Sequence, residues 1–355
     1  MKQTTYDKIA KYKNDFFERF VIAGDPNTAG TNIPLARING KVGIVEDGTI
    51  NIAHYLQYLY FSSSYTKIDW CLDTLERLSK AASKVSNTFP YTSVEGFFLR
   101  DDIESFPNLD RVVGCVSELK GTTCDPCFSP FTSQDQVWNL LPILKLLSKT
   151  NSQAYRLIVN YIKFIVDNNY TIYNPYYSWN LHKWIYYDLK VPYNQRYIDL
   201  LDNFKYNIKV TRGANCWYYG GGFVNVYNSI SESKLKETWH RLFYSAFTWL
   251  ADNIYHPYIC KWFNLPVKNN AYYCLNVASG NKKFMKKIIE KFKKNLDDVL
   301  AGEAELNEDY AWLVLIAAEE LNDYSFSNKL EEFLDNYEVP EDKSPLLYLT
   351  LASLW

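Results

Sequence analysis

An excess of either charge is missing from this sequence. The 38 Lys+Arg stand against 40 Asp+Glu over 355 residues, a formal net charge of -2, so nothing electrostatic points to nucleic acid or an anionic membrane as partner. No run approaches the about 18 consecutive apolar residues that a membrane span needs. The stretch Met1 to Phe20 is charged and amphipathic, without the apolar core or small-residue cleavage site of an export signal. The expectation is a cytoplasmic protein, or a periplasmic or secreted one if a leader has been trimmed away. No Pro/Gly/Ser linker or charge tract divides the chain, which predicts one domain over 1–355. Walker loops, GxGxxG, GxSxG and HExxH are all lacking, which argues against nucleotide, nucleophile-elbow and zincin chemistry and leaves no cofactor to expect. Seven Cys is an odd number for a secreted disulfide framework. Cys124 and Cys127 have CxxC spacing, but a zinc site needs two further ligands. Cys115, His256 and Cys260 are candidates, yet no second CxxC or HxxxH exists, so the cysteines read mostly as buried thiols and no metal is expected.

What is abundant is aromatic surface. Phe, Trp and Tyr make up 17% of the chain, with 30 Tyr, 20 Phe and 10 Trp, and Tyr and Trp offer flat apolar faces with a polar edge. Apolar residues at 47% and charged residues at 22% secure a sizeable core. Helical periodicity dominates. Leu235, Trp239, Leu242, Phe243, Ala246, Phe247, Leu250 and Ile254 lie on one helical face, with Ser229 and Glu232 as a capping box. Ser133 and Gln136 cap a second helix running to about Ser148, and Ala154 to Ile165 forms its antiparallel neighbour after a short break. Asn174-Pro175 has the N-cap and N1 chemistry of a helix reaching about Leu189. Further helical patterns fall near 4–20, 50–61, 66–84, 194–205, 282–299, 308–321, 326–336 and 345–354. Lys41 to Val45 and Phe223 to Val226 offer only short hairpins. The class is all-α, and paired helices without a repeat period of roughly 34–47 residues favour a closed α/α toroid over a superhelical array.

Long non-helical stretches at 21–48, 86–132 and 207–230 exceed ordinary connections. They carry Gly24-Asp25-Pro26-Asn27, Glu95-Gly96 through Asp101-Asp102, and Trp217-Tyr218-Tyr219 before three glycines. With paired helices, acidic-aromatic loops and Ser133-Gln134-Asp135-Gln136, the chain resembles the six-hairpin, (α/α)6-toroid glycosidases and their relatives. The resemblance spans architecture over nearly the whole chain. It implies loops gathered at one mouth, a pair of carboxylates flanking a sugar bond, aromatic subsites, and an oligosaccharide or polysaccharide ligand.

The residues supply the groups for that chemistry, each with a plainer use. Asp101 and Asp102 follow Arg100, so one carboxylate is held ionised while a crowded neighbour is raised; the plainer reading is a surface turn paired with Arg100. Glu95 before Gly96 places a carboxyl against close backbone or forms a loop turn. Asp135 near a helix start offers a charge, flanked by the amides of Gln134 and Gln136, or simply complements the helix dipole. Trp179, Asn180 and His182 fall in the first turns of the expected 174–189 helix and face a cavity, whereas Trp184 and Tyr187 read as core. Trp217, Tyr218 and Tyr219 sit in a Gly-rich loop with less packing to explain them and stack on sugar. The Lys282 to Lys294 run is a solvated helix face. The leading function is glycoside hydrolysis by a carboxylate pair; a non-catalytic glycan binder and a protein-binding helical scaffold are the alternatives.

Overall fold

The computed structural model describes residues 2–19, 22–23, 33–34, 37–39, 42–44, 48–84, 95–98, 112–113, 134–167, 171–178, 183–190, 270–338 and 344–355. These are mostly helical, in agreement with the all-α class. The described helices are α1 (Gln3–Arg19), α2 (Gly48–Phe61), α3 (Tyr65–Lys84), α4 (Gln134–Leu147), α5 (Ser152–Asp167), α6 (Asn270–Ala278), α7 (Lys282–Leu300), α8 (Glu308–Leu321), α9 (Ser327–Asn336) and α10 (Pro345–Ala352). All but α6 stand within a few residues of a sequence expectation. The helices expected over 194–205 and from Leu235 to Ile254 lie outside the described residues.

Two kinds of helix alternate along the chain. In α7 the buried residues Phe284, Met285, Ile288, Ile289, Phe292, Leu296 and Val299 form one stripe, and lysines occupy the other side. That is the pattern of a helix with one face on the core and one in water. In α10 every residue from Pro345 to Ala352 is buried, and in α8 the unbroken run Ala311 to Ala318 is. Such helices are covered on all sides. They pack accordingly: α2 touches α3, α4 and α10; α4 touches α5, α6 and α8; α8 touches α6, α7 and α10.

The covered helices α2, α4, α6 and α8 run parallel, because they meet at matching depth. Near their starts Tyr273 of α6 faces Tyr310 of α8, hydroxyl to hydroxyl at 3.3 Å, and Cys274 of α6 lies 3.9 Å from Asn139 of α4. At their ends the Tyr60 hydroxyl of α2 donates to Glu319 of α8 at 3.2 Å, and Lys149, just past α4, pairs with Glu320 at 2.8 Å. The connections leaving those ends are short: 62–64, 148–151, 279–281 and 322–326. The long stretches 20–47, 85–133 and 168–269 all enter the starts of α2, α4 and α6, at the opposite face.

The first helix is held by the last two. α1 packs on α9 and α10; the Lys2 backbone N–H donates to Asp335 at 2.9 Å, 333 positions away, and the Thr5 hydroxyl donates to the same carboxylate. Lys8 pairs with Glu338 at 2.7 Å.

Short strands lie in the first two long stretches. β1 (Ile22–Ala23) pairs antiparallel with β2 (Ile33–Pro34), and β3 (Arg37–Asn39) with β4 (Val42–Ile44), the hairpin expected around Lys41 to Val45. β4 then pairs in parallel with β5 (Val112–Val113), which joins the first stretch to the second. The Phe223 to Val226 segment lies outside the described residues.

One helix expectation is corrected. Residues 174–189 do not form a helix: β6 (Thr171–Ser178) and β7 (Lys183–Lys190) pair antiparallel, with Pro175 opposite Tyr186 and Ser178 opposite Lys183. The residue before a proline is pushed toward extended backbone, and Ile172, Tyr173, Tyr176, Tyr177, Trp184, Ile185, Tyr186 and Tyr187 are strand formers. In a two-stranded sheet both strands are edges, where a proline without an N–H is tolerated.

Gly96 docks its segment onto α5. Its φ is +85°, and a Cβ there would stand 2.1 Å from the Asn160 carbonyl oxygen, so glycine is required twice over. The approach seats Phe97 against Phe164 and Phe98 against Tyr161, with ring centroids 5.1 and 4.8 Å apart. Gly96→Ala is expected to destabilise the fold by about 2–5 kcal/mol, the sum of left-handed strain and a clash with backbone. An unchanged urea midpoint would contradict this.

Candidate functional site

The parallel starts of α2, α4, α6 and α8 bring chemistry into one layer. His54, Asn139, Cys274 and Trp312 each stand in the second turn of their helices. His54 stacks flat on Trp312, with ring centroids 3.7 Å apart and planes 6° from parallel. It is also hydrogen-bonded to Asn139, whose side chain is buried. Burial of the imidazole drives its pKa down from 6.5 to about 3, against the Asn139 bond, which pulls it up. An N–H donated by the ring has that raising effect, and Nε2 has no partner. With Nε2 unpartnered, the Asn139 bond falls on Nδ1. One turn further along α2, Gln57 is 2% exposed and its Oε1 is also without a partner.

Cys274 is not set up here as a nucleophile. The Cys274 thiol is fully buried, and its pKa lies well above the ordinary range because of desolvation first and the nearby Asp309 charge second. A nucleophilic cysteine needs the reverse environment. A histidine with pKa about 3 is likewise too weak a general base at neutral pH, where a match near 7 is favoured. At neutral pH His54 is therefore unsuited to transfer protons in this layer.

Above it, in the first turns, stand acidic and aromatic groups. Asp309 is half-buried in the first turn of α8, behind the Asn307 cap, whose side chain accepts from Tyr310 N–H at 3.2 Å. Tyr310 accepts from Lys291 at 3.1 Å and meets Tyr273. Asp135 is the second residue of α4, at the depth on α4 that Asp309 holds on the adjacent α8. Both positions gain from the positive end of the helix dipole.

The other expected site residues fall as follows. Gln134 and Gln136 share the first turn of α4 with Asp135. Glu95 is exposed, its carboxylate 3.8 Å from Lys163 on α5. It is solvated, and it flanks the Gly96 contact rather than the second-turn layer. Trp179, Asn180 and His182 lie outside the described residues, between the paired strands in sequence, so the reason for turning them toward a cavity, a helix over 174–189, no longer holds. Asp101, Asp102, Trp217, Tyr218 and Tyr219 lie outside the described residues, as do Cys115, Cys124, Cys127, His256 and Cys260. Among the described residues no group of three His, Cys, Asp or Glu could hold a metal ion, and no helix is long and apolar enough to cross a membrane.

Sequence reasoning missed His54, Gln57, Asn139, Trp312 and Asp309. The available signal was polarity inside apolar helices: His54 and Gln57 interrupt Ile52 to Leu59, and Asn139 interrupts Val137 to Leu147. Compared with protein-family models, with curated proteins and with solved structures, the chain matches none.

Proposed function

We propose that the chain is a carbohydrate-active protein built as a closed α/α toroid, and that it hydrolyses a glycosidic bond with a pair of carboxylates at the face where α2, α4, α6 and α8 begin. Closure is supported by α1 resting on α9 and α10, and by covered helices that pack in the order α10, α2, α4, α6, α8 and back to α10. The observation that carries the functional reading is the convergence at one face. All three long stretches enter there, Asp101 and Asp102 lie on the stretch entering α4, and Asp135 and Asp309 occupy matching first turns of two helices in contact. In this reading the carboxylate pair is drawn from these residues, with the separation of about 5–9.5 Å that glycoside hydrolysis uses. Trp217, Tyr218 and Tyr219 supply stacking surface in this reading.

The test is a screen of neutral and acidic oligosaccharides for binding, followed by Trp217→Ala and Tyr219→Ala. Each variant is expected to weaken binding of the selected glycan by about 0.5–1.5 kcal/mol or more while leaving the melting temperature within a few degrees. Unchanged affinity with a strongly lowered melting temperature would make these core residues. Binding without any product would select the non-catalytic glycan-binding alternative.

A further inference from the structure

We propose that His54 Nε2 and Gln57 Oε1 form a buried receptor for a hydroxyl group, supplied either by a trapped water or by a ligand. The ligand source rests on the carbohydrate reading; the water source does not. Both atoms are shut off from solvent and both lack a partner; with the ring proton on Nδ1 toward Asn139, as the proposal has it, both are acceptors. They sit at i and i+3 on α2, so their side chains leave the same face of the helix. His54 fixes where that face points, since its ring lies on Trp312 of α8 and is bonded to Asn139 of α4. Gln57 is itself 2% exposed. Buried acceptors of this kind are costly unless met by a donor, and the donor that two neighbouring acceptors call for is one with hydrogens to give. A water gives one proton to each acceptor; a ligand hydroxyl has a single proton and satisfies one of the two. A carboxylate or phosphate would bring only further lone pairs.

The same proposal gives His54 a role toward that hydroxyl. Asn139 holds the Nδ1–H tautomer, Trp312 fixes the ring plane, and the ring stays neutral throughout the physiological range. His54 is thus a permanent acceptor, and its role is positioning.

Nitrogen NMR of the full-length chain labelled at histidine side chains tests this. At neutral pH the His54 ring should carry its proton on Nδ1, with Nε2 at the shift of a hydrogen-bonded acceptor. Gln57→Met should move Nε2 toward the shift of an unbonded nitrogen, because a bridging water loses its second anchor. Glucose, galactose, mannose and N-acetylglucosamine, each added alone to saturation, distinguish the sources. A displaced Nε2 signal with any of them identifies a ligand hydroxyl; no change with all four identifies a trapped water and leaves the receptor standing even if the carbohydrate reading fails. A proton on Nε2, or an unbonded Nε2 shift that Gln57→Met leaves in place, would overturn the proposal. If Gln57→Met does not fold, the wild-type tautomer and Nε2 shift decide by themselves.

Discussion

Asp135→Asn and Asp309→Asn are each expected to lower turnover on the selected glycan by about 10²–10⁴-fold, the usual contribution of a positioned proton-transfer group, while affinity changes by less than tenfold. The amide keeps the size of the carboxyl and loses its charge and proton. The pairing follows from helix register: Asn139 meets Cys274, Tyr273 meets Tyr310, and α4 touches α8, so the first turns of α4 and α8 stand at one level. Asp309 also acts electrostatically on Cys274, which places its charge toward α6. Asp101→Asn and Asp102→Asn are the companion variants, because their stretch enters α4 at this face. Full activity in all four would move the carboxylates elsewhere. Glu95→Gln is expected to retain activity, since Glu95 is exposed beside Lys163 and flanks the Gly96 contact rather than the first turns of α4 and α8.

The second large effect is on stability at mildly acid pH. His54 titrates at about 3 in the folded chain against 6.5 when unfolded. Between those values the unfolded chain binds the extra proton, so stability is complete above pH 6.5 and falls as the pH drops, by about 1.4 kcal/mol per unit. From pH 6.5 to 4.5, above the range of most carboxylates, the loss is roughly 2–3 kcal/mol. Asn139 and Trp312, which meet His54, do not titrate, and Cys274 beyond Asn139 stays protonated because burial pushes its thiol up. His54→Phe should flatten the denaturation-derived stability curve between pH 6.5 and 4.5 relative to wild type. The other three histidines, His182, His240 and His256, remain in both proteins, so the difference isolates His54. Parallel curves would mean that His54 is solvated in the folded chain.

These expectations rest on parts of the molecule that differ in how openly the sequence displays them. One-sided helices are legible. The Phe284, Ile288, Phe292, Leu296 spacing marks α7, and Asn281 before it caps Phe284 N–H at 3.3 Å as a helix start should. Covered helices lose that signal, because a helix apolar on every side has no periodic contrast. α6 is nine residues long and without a stripe, and the sequence carries no expectation for it. The Asn174-Pro175 pair carries two opposed meanings, N-cap chemistry and extended backbone before proline, and the flanking aromatic and β-branched residues decided for strands. Of the site, the acidic start of α4 could be read from Ser133 to Gln136. The His54, Asn139 and Trp312 contact could not, because its members lie on three helices far apart in sequence, and only parallel packing at matching depth unites them.

A glycan-binding screen on the intact chain, read both for retained ligand and for cleaved product, tests the central claim most directly. The expected result is one class of oligosaccharide that binds, is cleaved by wild type, and stays bound but uncleaved in Asp135→Asn or Asp309→Asn. No binding by any glycan across a broad neutral and acidic panel, from a folded protein with the helical circular dichroism of this structure, would contradict it.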